Sequence, residues 1–273
     1  MIEGTILLVG CGKMGNALLK GWFAKGLNPV DVMVVEPAGR EAVYAAADHP
    51  ALVVLSDSTA VPSDFAPDVV VFAVKPQTAT DVIPPYKRMA YSGTVFISIV
   101  AGLSSEKLQN MLGEKVAVVR AMPNTPASIG QGVSVLYASS DASPSQKRVC
   151  KVLMAAVGHT AWIETEALMD AVTAVSGSGP AYVFLLAELM AAAGIKEGLP
   201  SDLAALIARA TVAGAGSLLA ADESPASTLR ENVTSPGGTT EAALKVLMSD
   251  EGLPKLMNRA ISAAAKRSKD LAN

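Results

Sequence analysis

Aromatic side chains are scarce in this chain: they make up 4% of its 273 residues, whereas 51% are hydrophobic. A core must therefore be assembled from Ala, Val, Leu, Ile and Met. Cysteine is almost lacking, and Cys11 and Cys150 are too few for a disulfide framework. The two histidines, His49 and His159, have no cluster of Asp, Glu or Cys around them, so no metal site is expected. An excess of one charge is missing too. With a formal net charge of −3, nothing electrostatic points to nucleic acid or an anionic membrane as partner. No basic-then-apolar leader precedes the first strand, which begins almost at Met1, so a cytoplasmic protein is expected.

A mean hydropathy of +0.38 raises the question of a membrane span. The longest candidate, Leu203 to Ala221, carries Arg209, Thr211, Ser217 and two glycines on a largely alanine background. A charge inside a span costs at least about 2.5 kcal/mol, which alanine does little to offset. A buried helix packed closely on others is the expectation, not a membrane helix.

The first half of the chain alternates between strand and helix patterns. Apolar runs at 5–9, 32–35, 52–55, 68–74, 94–99, 116–120 and 133–137 read as strands. Helical patterns follow at 14–25, 39–47 and 103–112, the last with Ser104 or Ser105 as N-cap. Such alternation implies a parallel sheet with right-handed crossovers. Beyond Ile163 the pattern changes to Ala-, Leu- and Met-rich helices at 166–175, 180–193, 202–221, 240–248 and 253–271, separated by Gly and Pro. Two domains are expected, 1–163 and 164–273.

The first strand runs into Gly10-Cys11-Gly12-Lys13-Met14-Gly15, a G-x-G-x-x-G that opens a helix. Gly10 permits the turn, Gly12 lets backbone approach a pyrophosphate, and Gly15 lets helix pack on strand. The helix start offers free N–H groups for the phosphates. A second strand ends at Glu36, about 20 residues beyond Gly15, where an acid meets the adenosine ribose. That favours NAD, whereas Arg40 suits the 2′-phosphate of NADP; both readings stand. Cys11 reads as a small space-filling residue.

Three further segments suit neither core nor ordinary turns. Ala73-Val74-Lys75-Pro76 ends a buried strand at the edge where open α/β sheets bind ligands. Arg120-Ala121-Met122-Pro123-Asn124-Thr125-Pro126 ends another, with prolines bracketing Asn and Thr. Ser235-Pro236-Gly237-Gly238-Thr239-Thr240 enters a helix and offers backbone N–H groups beside hydroxyls, a carboxylate site without Arg or Lys.

Taken with VSGSGPAYVF at 175–184 and SPGGTTEAAL at 235–244, these motifs resemble pyrroline-5-carboxylate reductase, in order and over nearly the whole chain. The resemblance implies an α/β fold: a Rossmann-type, mostly parallel sheet followed by an all-helical C-terminal dimerisation domain. It implies reduction of L-1-pyrroline-5-carboxylate to L-proline with NADPH or NADH, the last step of proline synthesis. It makes Thr240 the hydroxyl on the ring nitrogen, and gives the substrate carboxylate to Ser235, Gly237 and the amides of Gly238, Thr239 and Thr240. The coenzyme falls to Gly10 through Gly15, Glu36, Arg40, Ala73 through Pro76, Ala101, Met122, Pro123 and Asn124. Its partners would be a small-molecule substrate and a second copy of the chain, as a dimer or a multiple of dimers. Glu36-Pro37 departs from the Ser, Thr or Arg of many relatives, which puts NADPH preference in question but not the reaction.

The chemistry agrees with an imine. Carbonyl reduction develops alkoxide charge and wants a positioned acid, whereas a cyclic imine is already electrophilic and needs mainly orientation. Another imine reductase or a 2- or 3-hydroxyacid reductase of similar architecture is the alternative. Against a β-hydroxyacid dehydrogenase, the helix from Pro180 to Glu188 has no Lys. A non-catalytic dinucleotide sensor would not need an intact 235–240 loop. An interaction protein built on the Ala-rich helices would find little specific recognition in Ala208, Gly214 and Ala215, which suit a close subunit interface.

Overall fold

The computed structural model describes residues 4–44, 47–91 and 93–272. Val-rich runs form strands because β-branched side chains pack well on a pleated surface covered on both faces. Strand β1 (Ile6–Val9) leads into helix α1 (Lys13–Ala24), followed by β2 (Val32–Val35), β3 (Val53–Leu55), β4 (Val69–Phe72) and β5 (Val95–Ser98). Helix α2 (Ser105–Leu112) precedes β6 (Ala117–Met122) and β7 (Gly132–Ala138); then come α3 (Pro144–Ala155) and β8 (Gly158–Trp162).

These strands form one eight-stranded sheet in the order β3-β2-β1-β4-β5-β6-β7-β8. All neighbours are parallel except β6 and β7, and β8 follows β7 in parallel. The mostly parallel Rossmann-type sheet predicted from the alternation is thus present, with a reversed pair at one edge. Alternate residues of β1 feed two cores. Ile6 and Leu8 pack with Leu18, Leu19, Trp22 and Leu153 on one face, while Leu7 and Val9 pack with Phe72, Tyr86, Phe96 and Leu108 on the other. The Trp22 indole N–H, deep in the first core, donates to the Leu153 carbonyl at 3.0 Å.

Two compact units are distinguished, Met1–Gly177 with Ala265–Asn273, and Ser178–Ala264. The second is helical: α4 (Gly179–Lys196), α5 (Ser201–Ala221), α6 (Ala226–Asn232) and α7 (Thr239–Leu247), with most of α8 (Leu253–Ala272). In that unit α4 packs on α5, where Ala204 and Ala208, one turn apart, are buried.

The structure departs from the sequence patterns in three places. The helix predicted at 39–47 is only a 3-10 turn, Gly39–Ala42; Ala45 and Ala46 lie outside the described residues. Gly39 takes a φ of +64°, and the Arg40 side chain reaches forward to the carbonyls of His49 and Leu52, closing a loop where a helix would run on. Helix α3 occupies a stretch to which the sequence patterns assigned no element, and Ser143 with Gln146 closes a capping box at its start. Finally, α5 is not buried within its own chain: Leu206 is 65% exposed, as Phe184 of α4 is 67%. Only one flank of α5 meets α4, so the rest of its apolar circumference is left uncovered.

Candidate active site

The glycine loop is held by backbone on both sides. Gly10 has a φ of +92°, and a Cβ there would lie 2.7 Å from the Ala73 carbonyl oxygen. A Cβ on Gly15 would lie 2.5 Å from the Gly10 carbonyl oxygen. Gly12 differs: a Cβ there would meet nothing within 4 Å. Its bareness serves no packing and leaves an open cradle at the start of α1, whose N-terminus has no side-chain cap. Open space, uncapped amides and the positive end of a helix are what a pyrophosphate requires, so the loop fits a dinucleotide.

Asn16, which the motif does not single out, fixes this loop. Its buried amide donates to the carbonyls of Cys11, Gly12 and Ala42, and its Oδ1 accepts from the Tyr44 N–H at 2.6 Å. A polar residue on an otherwise apolar helix face was the available signal. Cys11 is buried; desolvation first, and the Glu36 charge second, push its thiol up to about 12. It therefore remains a thiol at neutral pH.

Glu36 follows β2. One carboxylate oxygen accepts the Cys11 N–H at 2.7 Å and the other the Ala38 N–H at 3.2 Å. Arg40 is turned to its own loop, paired with Asp48 and bonded to the His49 carbonyl at 3.2 Å. Glu36 and Gly12 line a crevice of about 530 Å³ with Val74, Lys75 and Asp57, while Arg40 does not line it. The crevice opens at the C-terminal ends of the central strands, where open α/β sheets bind ligands. Lys75 is exposed at its rim, before the turn Pro76–Thr78. Ala101 lies in the turn after β5.

At the end of β6, Met122 is buried, Pro123 follows it, and the Asn124 Oδ1 accepts the Val133 N–H at 2.9 Å. That bond folds the Met122–Ile129 turn back onto β7. Gly177, in a short π-helical stretch, packs beside Met122, with a Cβ position 3.6 Å from its sulfur. Behind this edge, buried Arg120 pairs with Glu166 at 2.6 Å, and Glu166 also accepts from the Ser105 N–H and hydroxyl. Desolvation raises the Glu166 carboxyl, but the bonds from Ser105 and Arg120 outweigh it and hold the group below the ordinary carboxylate range.

The helical unit presents the other predicted loop. Gly237 takes a φ of +72°, and Gly238 caps α7 without a side-chain hydrogen bond. The Gly238 N–H donates to the Ser235 carbonyl at 3.0 Å, and the Gly237 N–H to the Glu241 carboxylate at 2.6 Å. Glu241, another residue not anticipated, ties the turn to the first turn of α7. The amides of Thr239 and Thr240 begin a helix with no cap, beside the Ser235 and Thr240 side chains. Ser176, in the SGSGP segment, has a buried hydroxyl without a hydrogen-bond partner.

A family model described as pyrroline-5-carboxylate reductase dimerisation matches residues 166–271. A pyrroline-5-carboxylate reductase of Pseudomonas aeruginosa is 39% identical over 272 residues, covering 100% of this chain and 98% of that one. The chain belongs to the pyrroline-5-carboxylate reductase family. A second model, NADP oxidoreductase coenzyme F420-dependent, matches residues 5–102. Among solved structures, the Coxiella burnetii reductase superposes with a TM-score of 0.90 at 33% identity over 99% of both chains. A Plasmodium falciparum pyrroline carboxylate reductase with NADP bound gives 0.82 at 29% identity over 100% of both. Both the sheet domain and the helical unit thus fall within the reductase family.

Proposed function

We propose that the chain is an NAD(P)H-dependent reductase that converts L-1-pyrroline-5-carboxylate to L-proline, the last step of proline biosynthesis. One observation carries the assignment of its substrate loop: the uncapped start of α7 at Gly238, opened by the positive φ of Gly237. Unfilled amides beside hydroxyls suit a carboxylate without a cation. The segment Ser235–Thr240 contains no His, Lys, Tyr or acid, as befits an electrophilic imine that needs orientation rather than a proton donor to oxygen. When bound, the nicotinamide supplies a hydride to the imine carbon. Thr240 holds the ring nitrogen, which ends as the amine after one proton is taken up. The amides of Thr239 and Thr240 and the Ser235 hydroxyl hold the carboxylate, with Gly237 and Gly238 shaping the turn through their own bonds to Glu241 and the Ser235 carbonyl.

Oxidation of NAD(P)H dependent on pyrroline-5-carboxylate tests the reaction. In that assay Thr240→Ala should lower kcat/KM by about 10-fold, one lost hydrogen bond, with Thr240→Ser restoring most of it. Unchanged kcat/KM in the alanine variant removes Thr240 from the mechanism.

The region 164–273 serves as the dimerisation and substrate domain of a homodimer or a multiple of it. Two stretches, Glu166–Lys196 and Ser201–Ala221, are long and apolar enough to cross a membrane by length and composition. Arg209 within the second, and the family model's description as dimerisation, favour a second copy over lipid as the covering surface. Sedimentation at micromolar concentration should give at least twice the chain mass of 27.9 kDa; a monomeric mass overturns the dimer. The unpaired, buried thiols of Cys11 and Cys150 are in keeping with a cytoplasmic enzyme.

A further inference from the structure

NADH and NADPH differ by one phosphate on the adenosine ribose, and the end of β2 is where that ribose lies in a Rossmann-type site. Glu36 occupies this position and lines the crevice. Its carboxylate is fixed by the N–H groups of Cys11 and Ala38, one on each oxygen. A carboxylate accepts about four hydrogen bonds, so about two places remain, one on each oxygen. Two vicinal ribose hydroxyls supply two donors. Turning Glu36 away to admit a phosphate would strip the Cys11 N–H of its acceptor inside the glycine loop.

Neither Arg40, close to Glu36 in sequence, nor Lys75, on the crevice lining, is placed to welcome a 2′-phosphate. Arg40 is the nearest in sequence, but its guanidinium is paired with Asp48 and bonded to two carbonyls of the loop it closes. Lys75 follows β4, which β1 separates from β2, a spacing of roughly 10 Å between strands. On the other flank Asp57 follows β3 and lines the same crevice. Hydrogen bonds from the Thr59 hydroxyl and amide, with one from Ser56, hold its carboxyl below the ordinary range, so it is ionised at neutral pH. A 2′-phosphate would enter between two carboxylates.

We infer that Glu36 makes this chain an NADH enzyme: its anchored carboxylate takes the ribose hydroxyls and turns away the 2′-phosphate of NADPH. The inference rests on the dinucleotide site assigned above, and goes beyond it in choosing between the coenzymes. It differs from the coenzyme bound in the Plasmodium falciparum relative, and for a local reason: selectivity is set by the few residues around one hydroxyl, not by the fold.

The test is calorimetric titration of the full-length protein with ADP-ribose and with its 2′-phosphate, beside turnover with NADH and NADPH. ADP-ribose should bind about 50-fold more tightly than the phosphorylated probe, a like-charge penalty at short range in a partly exposed site. Glu36→Gln should bring that ratio below about 5-fold, chiefly by improving binding of the phosphate, because the charge goes and the size stays. Glu36→Ser, a second variant, should shift it the same way. Arg40→Met should leave the ratio unchanged.

Equal or tighter binding of the phosphorylated probe by the natural chain overturns the inference. So does a selective loss of that probe in Arg40→Met. If neither probe binds, the dinucleotide site itself is wrong and this inference falls with it. If ADP-ribose binds with the expected preference while neither coenzyme is oxidised by pyrroline-5-carboxylate, the reaction is wrong and Glu36 keeps its role.

Discussion

A Gly15→Ala chain is expected to bind NADH at least about 100-fold more weakly than the natural chain while remaining folded. The added Cβ would lie 2.5 Å from the Gly10 carbonyl oxygen and 3.3 Å from the carbonyl carbon. Gly10 cannot retreat. Its N–H donates to the Val35 carbonyl at 2.8 Å, and its far side already faces the Ala73 carbonyl. The start of α1 must therefore move away from the loop, by roughly 1 Å. Such a misplacement is enough to cost about two orders of magnitude where geometry matters. The rest of α1 keeps its grip through Leu18, Leu19 and Trp22, so the strain should lower stability by only about 2 kcal/mol. Calorimetry and a urea titration separate the two effects. Gly12→Ala is the companion experiment. Open space surrounds that Cβ position, so stability should hold while affinity falls. Gly15→Ala with undiminished affinity would sink the account of the loop.

Glu166→Ala is expected to lower stability by about 3 kcal/mol in urea titration. The carboxylate receives Arg120 from β6 and both the N–H and the hydroxyl of Ser105 at the start of α2. Removing it strands a guanidinium whose side chain is only 10% exposed and unpairs a partly buried amide. Because the Glu166 carboxyl lies below its ordinary range in the folded chain, its contribution has a defined pH window. It is present in full above the unfolded value near 4.3 and is lost as pH falls through the lower folded value. The natural chain and the alanine variant should thus converge in stability in acid. A pair removed together, Glu166→Met with Arg120→Met, should recover part of the loss, since no lone charge stays behind.

Much of the sheet was legible because burial on both faces leaves an unmistakable Val-rich run; β2 falls at Val32–Val35 as expected. The cap of α2 was legible as Ser104 or Ser105, and it is the Ser104 hydroxyl that accepts the Lys107 N–H. Strand direction was not legible. Alternation of side chains is the same read either way, so nothing in 132–138 announced that β7 would reverse. Helix α3 was overlooked although its signals are local, a Ser-Pro start and Gln146 closing the box. The glycine loop was legible because its demands fall on residue types, a positive φ at Gly10 and no Cβ at Gly15. The bonds that set it were not. Glu36 meets Cys11 across 25 positions, and Asn16 meets Ala42 and Tyr44 across 26 and 28. Such pairs exist only once the chain has folded. Arg40 shows the converse: composition offered it for a phosphate, and the fold spends it on closing a loop.

The apolar flank of α5 has a thermodynamic consequence. Leu206, Leu218 and Leu219 are about half exposed or more in the single chain, so a helix that composition marks as interior has no interior of its own. Where a second copy supplies it, burial of that surface belongs to association as much as to folding, and the free energy of the helical unit acquires a concentration term. Dilution then acts on this unit as a denaturant does, while the sheet domain, with both its cores filled from within, is indifferent to it.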